Sequence, residues 1–433
     1  MLAGSLDTQA LSHADLNTVL AVLPAQQRDI IRLARLSQAA GQHSAPVVTV
    51  VGKYNHGKSS LLNELLGDAA FAVADRRETV ALATYSEQGV HWLDAPGLDA
   101  DVLHADDQLA EQAIWQLSDI RLFVHAAKEG ELDAMEQHWL GELCLDAQHS
   151  QRQTFFVLTQ LDQLADDEQM QAIQAALHTQ LQHVDPAHTL KYHAVSATRH
   201  KRGVQEGKAL FIARSGIPEL QAAITQALST VPAARMHEHT SLYAQLHRRC
   251  QHAHAQAAEA LSASLARQAQ QSNAFEHDLE TVLNQVRDDL QHTLDDDATD
   301  RALEPDSFAN MFKQTAGKRE RARLQIAYSR ACIAIDTVLI KHGVTCLPKD
   351  QQIEVESLNS LIVAVLGISV KYRDDLRKLF IQESGRSGLK QEFKRYFTLS
   401  DTQTALKAQI CQHEAAQADC EQAISVLEHW KPR

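Results

Sequence analysis

Residues 50–60 read VVGKYNHGKSS, and this stretch constrains the fold more than any other. Gly52 and Gly57 bracket four residues, and Lys58-Ser59 follows at once. The apolar run VVTVV precedes the first glycine, and a leucine-rich run follows the serine. Strand, glycine loop and helix in this order make the Walker A arrangement. The two glycines let backbone amides curl around a phosphate chain. Lys58 reaches the terminal phosphates as a point charge, and Ser59 offers a hydroxyl to Mg²⁺. The helix starting near Lys58 adds the positive end of its dipole. Gly52, Asn55, His56, Gly57, Lys58, Ser59 and Ser60 are therefore the expected phosphate-contact set.

Such a loop needs a parallel sheet behind it, and the next 180 or so residues have that texture. Short apolar runs alternate with helix-like segments: VALATY (80–85), VHWLDAPG (90–97), IRLFVHAA (120–127), TFFVLTQLD (154–162) and LKYHAVSA (190–197). Only SEQG separates the first two, which predicts an antiparallel hairpin at one edge. SGIPELQAAITQAL (215–228) reads as the closing helix, and the helical part is taken to begin at Pro232. Upstream, Pro24 divides two amphipathic helices within residues 6–41. Downstream, strand signals vanish. Apolar residues at helical spacing over 233–294 predict a helical hairpin or stalk, with further helices at 307–341, 355–382 and 400–430. The expected architecture is an α/β nucleotide-binding domain, mostly parallel with one antiparallel edge strand, plus a large all-α part. Three domains follow: N-terminal helices at 1–45 that pack on the C-terminal helical part, the α/β domain at 46–231, and a helical bundle or stalk at 232–433.

Three later strand ends specify the nucleotide. Asp94-Ala95-Pro96-Gly97 supplies a Mg²⁺-linked carboxylate and a glycine that senses the γ-phosphate. Thr159-Gln160-Leu161-Asp162 supplies a carboxylate that can accept two hydrogen bonds from guanine N1 and N2, which adenine does not offer. Ser196-Ala197 supplies a backbone N–H for guanine O6. In this order and spacing, residues 47–230 resemble the translation-factor-like GTPases, both the bacterial relatives of Era and TrmE and the GTPase domains of bacterial dynamin-like proteins. The resemblance implies GTP/GDP and Mg²⁺ as ligands and GTP hydrolysis as the activity. It also implies a first switch between Gly67 and Tyr85, with Thr79 as a second Mg²⁺ ligand beside Ser59 and Asp94. Lys58, Thr79, Gly97 and Asn55 make the expected catalytic set, and Arg76 and Arg77 are either phosphate-stabilising charges or solvated loop arginines.

Two departures matter. The family's base-reading loop carries Lys where this chain has Gln160, a residue that can still pack on the loop but brings no charge. Leu98 follows Gly97 where Ras-like enzymes place a water-orienting glutamine. Hydrolysis must then draw on another device: a K⁺ ion held with the help of Asn55, as in TrmE-like members, or dimerisation across the nucleotide, as in dynamin-like members. Asn55 as simple turn chemistry stays an alternative.

Composition bounds the helical half. The formal net charge is −14, which excludes wrapping nucleic acid over the whole surface. Residues 301–400 nevertheless hold 17 Lys/Arg against 11 Asp/Glu, in clusters at 318–323, 371–378 and 390–395. The second cluster directly follows the apolar stretch LNSLIVAVLGISV (358–370), a pattern that suits either a membrane-inserting tip or a buried bundle helix. Six scattered cysteines without a CxxC pair and an N-terminus without a signal-peptide pattern lead to the expectation of a cytoplasmic chain, peripheral at the inner face of a membrane if the tip inserts. Two functional readings stay open. One is a dynamin-like, self-associating mechano-GTPase acting on lipid. The other is an Era/TrmE-like switch acting on RNA or the ribosome, or a regulatory GTPase with only a protein partner. Nucleic acid is the less favoured partner, since aromatics for base stacking are few and no KH-type GxxG loop is evident.

Overall fold

The computed structural model describes residues 13–38, 44–67, 83–95, 110–164, 166–294, 314–345 and 373–432. Thr79, Gly97, Leu98, Arg76, Arg77 and the stretch 358–370 lie outside the described residues. In chain order the elements are α1 (His13–Val22), α2 (Gln27–Ser37), β1 (Val47–Val51), α3 (Lys58–Leu66), β2 (Ala83–Glu87), β3 (Val90–Asp94), β4 (Ile120–Ala126), α4 (Ala134–Ser150), β5 (Gln153–Thr159), α5 (Asp167–Val184), β6 (Lys191–Ala194), α6 (Ala197–Glu206), α7 (Ala209–Ala213), α8 (Ile217–Leu294), α9 (Ala316–Lys341), α10 (Arg373–Leu376), α11 (Glu383–Leu399) and α12 (Asp401–His429). They form two compact units, residues 1–253 with 419–433, and residues 254–418.

The first unit is built on a six-stranded sheet of order β2-β3-β1-β4-β5-β6. Every pairing is parallel except β2 with β3, so the fold is α/β with one antiparallel edge strand. The central strands β1 and β4 are buried at every residue because helices cover both faces. One face packs Val48, Val50 and Leu122 against Leu61 and Leu62 of α3 and Ile217, Leu220 and Ile224 of α8. The other packs Phe123, Phe156 and Leu158 against Leu140 and Leu143 of α4 and Leu177 of α5. After β1 the chain crosses towards β3, and after β4 it crosses towards β5. The crevice between the carboxyl ends of β1 and β4 is thus the topological switch point, where sheets of this kind bind ligands.

Two sequence expectations need correction. The edge hairpin is tighter than expected: β2 runs on to Glu87 and β3 starts at Val90, leaving a two-residue turn. Gln88 (φ 48°) and Gly89 (φ 77°) both adopt the left-handed conformation, the turn whose twist matches its flanking strands. The second correction concerns Pro232. The closing helix does not end before it, and of the hairpin and the stalk expected over 233–294 the hairpin is absent; α8 continues unbroken for 78 residues. Proline removes one rung of the helical ladder, but tertiary contacts on both sides hold the helix. Ile224, Ala227 and Val231 sit in the sheet's core, and Arg235 and Glu238 are buried in an ion network.

That network fastens α2 and α8 to the amino-terminal edge of the sheet. Asp119, just before β4, accepts hydrogen bonds from Arg32 (3.2 Å), from Arg235 (2.9 Å) and from the Val47 amide that opens β1 (2.9 Å). Arg32 also pairs with Glu238 at 2.8 Å, and Arg152 bridges Glu238 at 3.3 Å and Asp146 at 2.9 Å. Arg121 closes the chain on Asp146 at 2.7 Å. The guanidinium groups of Arg235 and Arg32 overcome burial and hold the Asp119 carboxyl well below the usual carboxylate range. Beside the network, Leu16, Val19, Ile30 and Leu33 of the N-terminal helices pack with Leu246 and Cys250 of α8 and Ala423, Leu427 and Trp430 near the C-terminus.

The second unit is helical. Phe275, Leu279, Val286 and Leu290 of α8 form a core with Leu324, Ile335 and Leu339 of α9, Leu376 of α10 and Leu389 and Phe393 of α11. Asp336 is set into the apolar face of α9, 7% exposed, and its Oδ1 has no hydrogen-bond partner among the described residues. Burial pushes its pKa up to about 6.

Two stability experiments follow. Asp119→Asn leaves Arg32 and Arg235 without their anion and is expected to cost about 3 kcal/mol in urea unfolding at neutral pH. Because the folded-state pKa of Asp119 is depressed, its contribution is present above the unfolded value and fades as pH falls. The gap between wild type and variant should therefore narrow only below about pH 4. Asp336 carries the opposite sign. Its folded-state pKa is raised, so the folded state is penalised at neutral pH and unaffected in acid. Asp336→Asn should raise stability on the order of 1 kcal/mol at about pH 7.5 and give no gain near pH 4.

Candidate functional site

The carboxyl ends of β1 and β4 are pressed together at Gly52. Its φ is +150°, and a Cβ placed there would lie 2.2 Å from the Val124 carbonyl oxygen, so only glycine fits. The loop then turns, with Asn55 left-handed at φ 60° and Gly57 at φ 83°. Gly57 caps α3, and the Leu61 amide returns to its carbonyl at 2.9 Å. Lys58, 8% exposed, lays its ammonium over the loop, 3.0 Å from the Gly52 carbonyl and 2.9 Å from that of Lys53. Ser60 follows it on the first turn of α3.

Ser59 Oγ donates to Asp94 Oδ2 at 2.6 Å, across from α3 to the end of β3. Burial raises the Asp94 pKa, while the Ser59 hydrogen bond and the Lys58 charge pull it down. Asp94 Oδ1 is buried and has no hydrogen-bond partner among the described residues. A hydroxyl and an orphaned carboxylate oxygen beside a phosphate loop are the oxygen donors that Mg²⁺ takes. These residues fit that ion.

The end of β5 locks the loop from the side. Thr159 Oγ1 donates to the His56 carbonyl at 2.6 Å, and Gln160 Nε2 donates to the Asn55 carbonyl at 2.6 Å. Gln160 is itself left-handed (φ 56°), and its side chain lies over Gly57. The amide dipole of Gln160 thus steadies the loop without a charge. Asp162 is exposed, and its Oδ1 accepts from Ser196 Oγ at 2.6 Å. Ser196 also caps α6, accepting from the Arg199 amide at 3.1 Å, while its own amide is spent on the Ser215 carbonyl at 2.8 Å. In the pair Ser196-Ala197, the serine therefore orients the carboxylate, and the Ala197 amide begins α6.

The fold brings Gly52, Asn55, Gly57, Lys58, Ser59, Asp94, Thr159 and Gln160 together at one edge, with Asp162, Ser196 and Ala197 beside one another next to it. His56 is divided between two places. Its backbone belongs to the loop, but its ring is buried beneath it, with Nδ1 3.3 Å from the Val124 carbonyl. Burial pushes its pKa down to about 4, so the ring is neutral at pH 7.

Under the loop lies a group of residues that motif reading does not reach. His125 on β4 stands 2.9 Å from Glu136 on α4, and Lys53 of the loop pairs with Asp133. Asp133 and Glu136 form a reciprocal capping box at the start of α4. The local signal for that box, Asp133 with a glutamate three residues on, is present in ELDAMEQ. Its meeting with His56 and His125 depends on strand order and has no local signal.

Residues 47–160 match the model of the 50S ribosome-binding GTPase family. The match ends at Gln160, short of Asp162 and Ser196. Over 423 residues the chain is 46% identical to uncharacterized protein ACIAD1443 of Acinetobacter baylyi, covering 98% of this chain and 99% of that one. GTPase Der of Streptomyces coelicolor is 34% identical over 106 residues, 23% of each chain. Among solved structures, a member of an oligomerised bacterial dynamin pair is 12% identical with a TM-score of 0.37, covering 95% of this chain and 78% of that one. Toc33 from Arabidopsis thaliana, with Mg²⁺ and GMPPNP, is 16% identical with a TM-score of 0.33, covering 51% and 95%. The chain thus belongs to the same family as the Acinetobacter protein, and its sheet-bearing part is a P-loop GTPase domain of the TRAFAC class.

Proposed function

We propose that this chain is a GTP-hydrolysing, dynamin-like mechano-GTPase that self-associates and acts on membrane. The observation that carries this reading is α8. The last helix of the GTPase domain runs on without a break, and its 78 residues supply core side chains to both compact units. A nucleotide-dependent shift at the domain's edge then has a covalent, helical route to the rest of the chain.

The chemistry follows from the loop. Lys58 exchanges its contacts with the Gly52 and Lys53 carbonyls for the terminal phosphates. The loop amides and the start of α3 bind the remaining phosphate charge. Ser59 and Asp94 would hold Mg²⁺, joined by Thr79, and the ion would offset charge on the β- and γ-phosphates. Asp162, oriented by Ser196, accepts from guanine N1 and N2, and the Ala197 amide donates to guanine O6. Gly97 senses the γ-phosphate. Leu98 has no polar group to place a water, so turnover draws on K⁺ near Asn55 or on a second copy across the nucleotide. The left-handed Asn55 keeps its carbonyl on Gln160, which leaves the side chain for that role.

The membrane reading rests on the apolar stretch 358–370 and the basic residues after it. The proposed attachment is peripheral, from the cytoplasmic side; no described helix is long and apolar enough to cross a membrane. The second reading, a ribosome- or RNA-directed switch, is favoured by the description of the matching family. Against it, the 390–395 cluster is spent on carboxylates of its own unit: Lys390 on Glu280, Lys394 on Glu276 at 2.8 Å and Arg395 on Glu392 at 3.7 Å.

Two experiments test this reading. Asp162→Asn is expected to weaken GTP binding roughly 30–100-fold, the loss of a charge-assisted pair worth about 2–3 kcal/mol, and to strengthen xanthosine nucleotide binding. Unchanged preference would remove the base-reading assignment. In co-sedimentation with anionic liposomes, the wild type with a non-hydrolysable GTP analogue should pellet and Leu366→Asp should not. Absence of lipid binding in every nucleotide state sinks the membrane reading and leaves the ribosome- or RNA-directed switch and the regulatory GTPase with a protein partner.

A further inference from the structure

The ring of His125 poses a problem in proton accounting. It is fully buried on β4, with Nε2 3.0 Å from the Gly130 carbonyl oxygen and Nδ1 2.9 Å from Glu136 Oε1. A backbone carbonyl and a carboxylate are both acceptors. A neutral imidazole has one N–H. Once Nε2 donates to Gly130, the bare lone pair of Nδ1 faces the lone pairs of a carboxylate, and either a proton or a metal ion must sit between them.

A third donor points to the same place. His56 reaches down from the phosphate loop, its Nδ1 3.7 Å from the same Glu136 Oε1 and 3.3 Å from the Val124 carbonyl oxygen, so an ion bound there takes the place of the Nδ1 proton and leaves the ring protonated at Nε2. The ligand atoms of His56, His125 and Glu136 all lie within 4.8 Å of one another, and all three side chains are buried. A tetrahedral ion with ligands about 2.0–2.1 Å away holds them roughly 3.3 Å apart. The observed 2.9 Å and 3.7 Å bracket that spacing. The outer partners are also in place. Gly130 fixes the His125 tautomer that leaves Nδ1 free, and the Asp133 amide holds Glu136 Oε2 at 3.2 Å. Hydrogen bonds of this kind orient the ligands of bound metals.

We propose that His56, His125 and Glu136 form a binding site for one divalent first-row transition ion of the zinc type, seated beneath the phosphate loop. Two imidazole nitrogens and one carboxylate oxygen suit Zn²⁺ or Co²⁺, whereas Mg²⁺ and Ca²⁺ favour oxygen throughout. The site is separate from the Ser59–Asp94 pair and does not rest on the functional reading above. An ion there ties the loop, through His56, to β4 and to the first turn of α4.

The test titrates the metal-stripped full-length chain with Co²⁺ in the absence of nucleotide. One tight equivalent is expected, with the strong visible absorption of low-coordinate cobalt, displaced by Zn²⁺. The chain has 23 histidines, and exposed ones will add weak binding. Glu136→Gln, His125→Asn and His56→Asn should each weaken the tight equivalent by at least about 100-fold and leave the weak binding unchanged. Far-UV circular dichroism checks that each variant is folded. A wild-type chain with no tight equivalent overturns the proposal, because the cation between His125 and Glu136 is then a proton. A tight equivalent that survives all three substitutions overturns it equally.

Discussion

Asp119 is the anion on which the first unit depends. It receives the guanidinium of α2, the guanidinium of α8 and the first amide of β1 on a single buried carboxylate. Each cation would be costly to bury alone, and each is acceptable because Asp119, Glu238 and Asp146 share them out. The sheet's amino-terminal edge is therefore where the flanking helices are locked. The opposite edge, where the strands end, is left for the loops that carry chemistry. One side is fixed by charge, and the other is built from glycines, a left-handed asparagine and side chain to backbone hydrogen bonds.

The division explains what the sequence revealed. The phosphate loop was legible because its requirements are local: Gly52 needs space beside Val124, Gly57 needs a left-handed φ, and both are glycine in consecutive text. The parallel sheet was legible because strands buried on both faces read as unbroken apolar runs. The edge hairpin was recognised from its short spacing, but its turn was misplaced by the assumption that SEQG is all loop. Ser86 and Glu87 pair with His91 and Val90, and only Gln88 and Gly89 turn.

Other features depend on distance in the chain and left no local mark. Arg32, Asp119 and Glu238 are ordinary surface types in sequence and are joined only by the fold. His56 reads as a loop residue, and its inward turn is decided by the room beneath the loop next to β4. The Lys-to-Gln change at Gln160 was visible as a departure. That its amide meets the Asn55 carbonyl was not, because it follows from the left-handed backbone at Gln160. The closing helix was read too short for a related reason. Local propensity disfavours a helix through Pro232, and packing on both sides overrides that propensity.

The same proline has a mechanical meaning. Without an N–H at Pro232, the Leu228 carbonyl lacks its partner one turn ahead, so α8 is missing one rung within an otherwise continuous ladder. The rung is lost between the segment that packs on the sheet and the segment that carries Arg235 and Glu238. A helix bends most cheaply where a rung is missing. The place of the missing rung is thus written into the covalent structure, one residue past Val231 and three before Arg235. The missing rung therefore lies within one turn of Arg235, which is bonded to the buried Asp119 carboxylate.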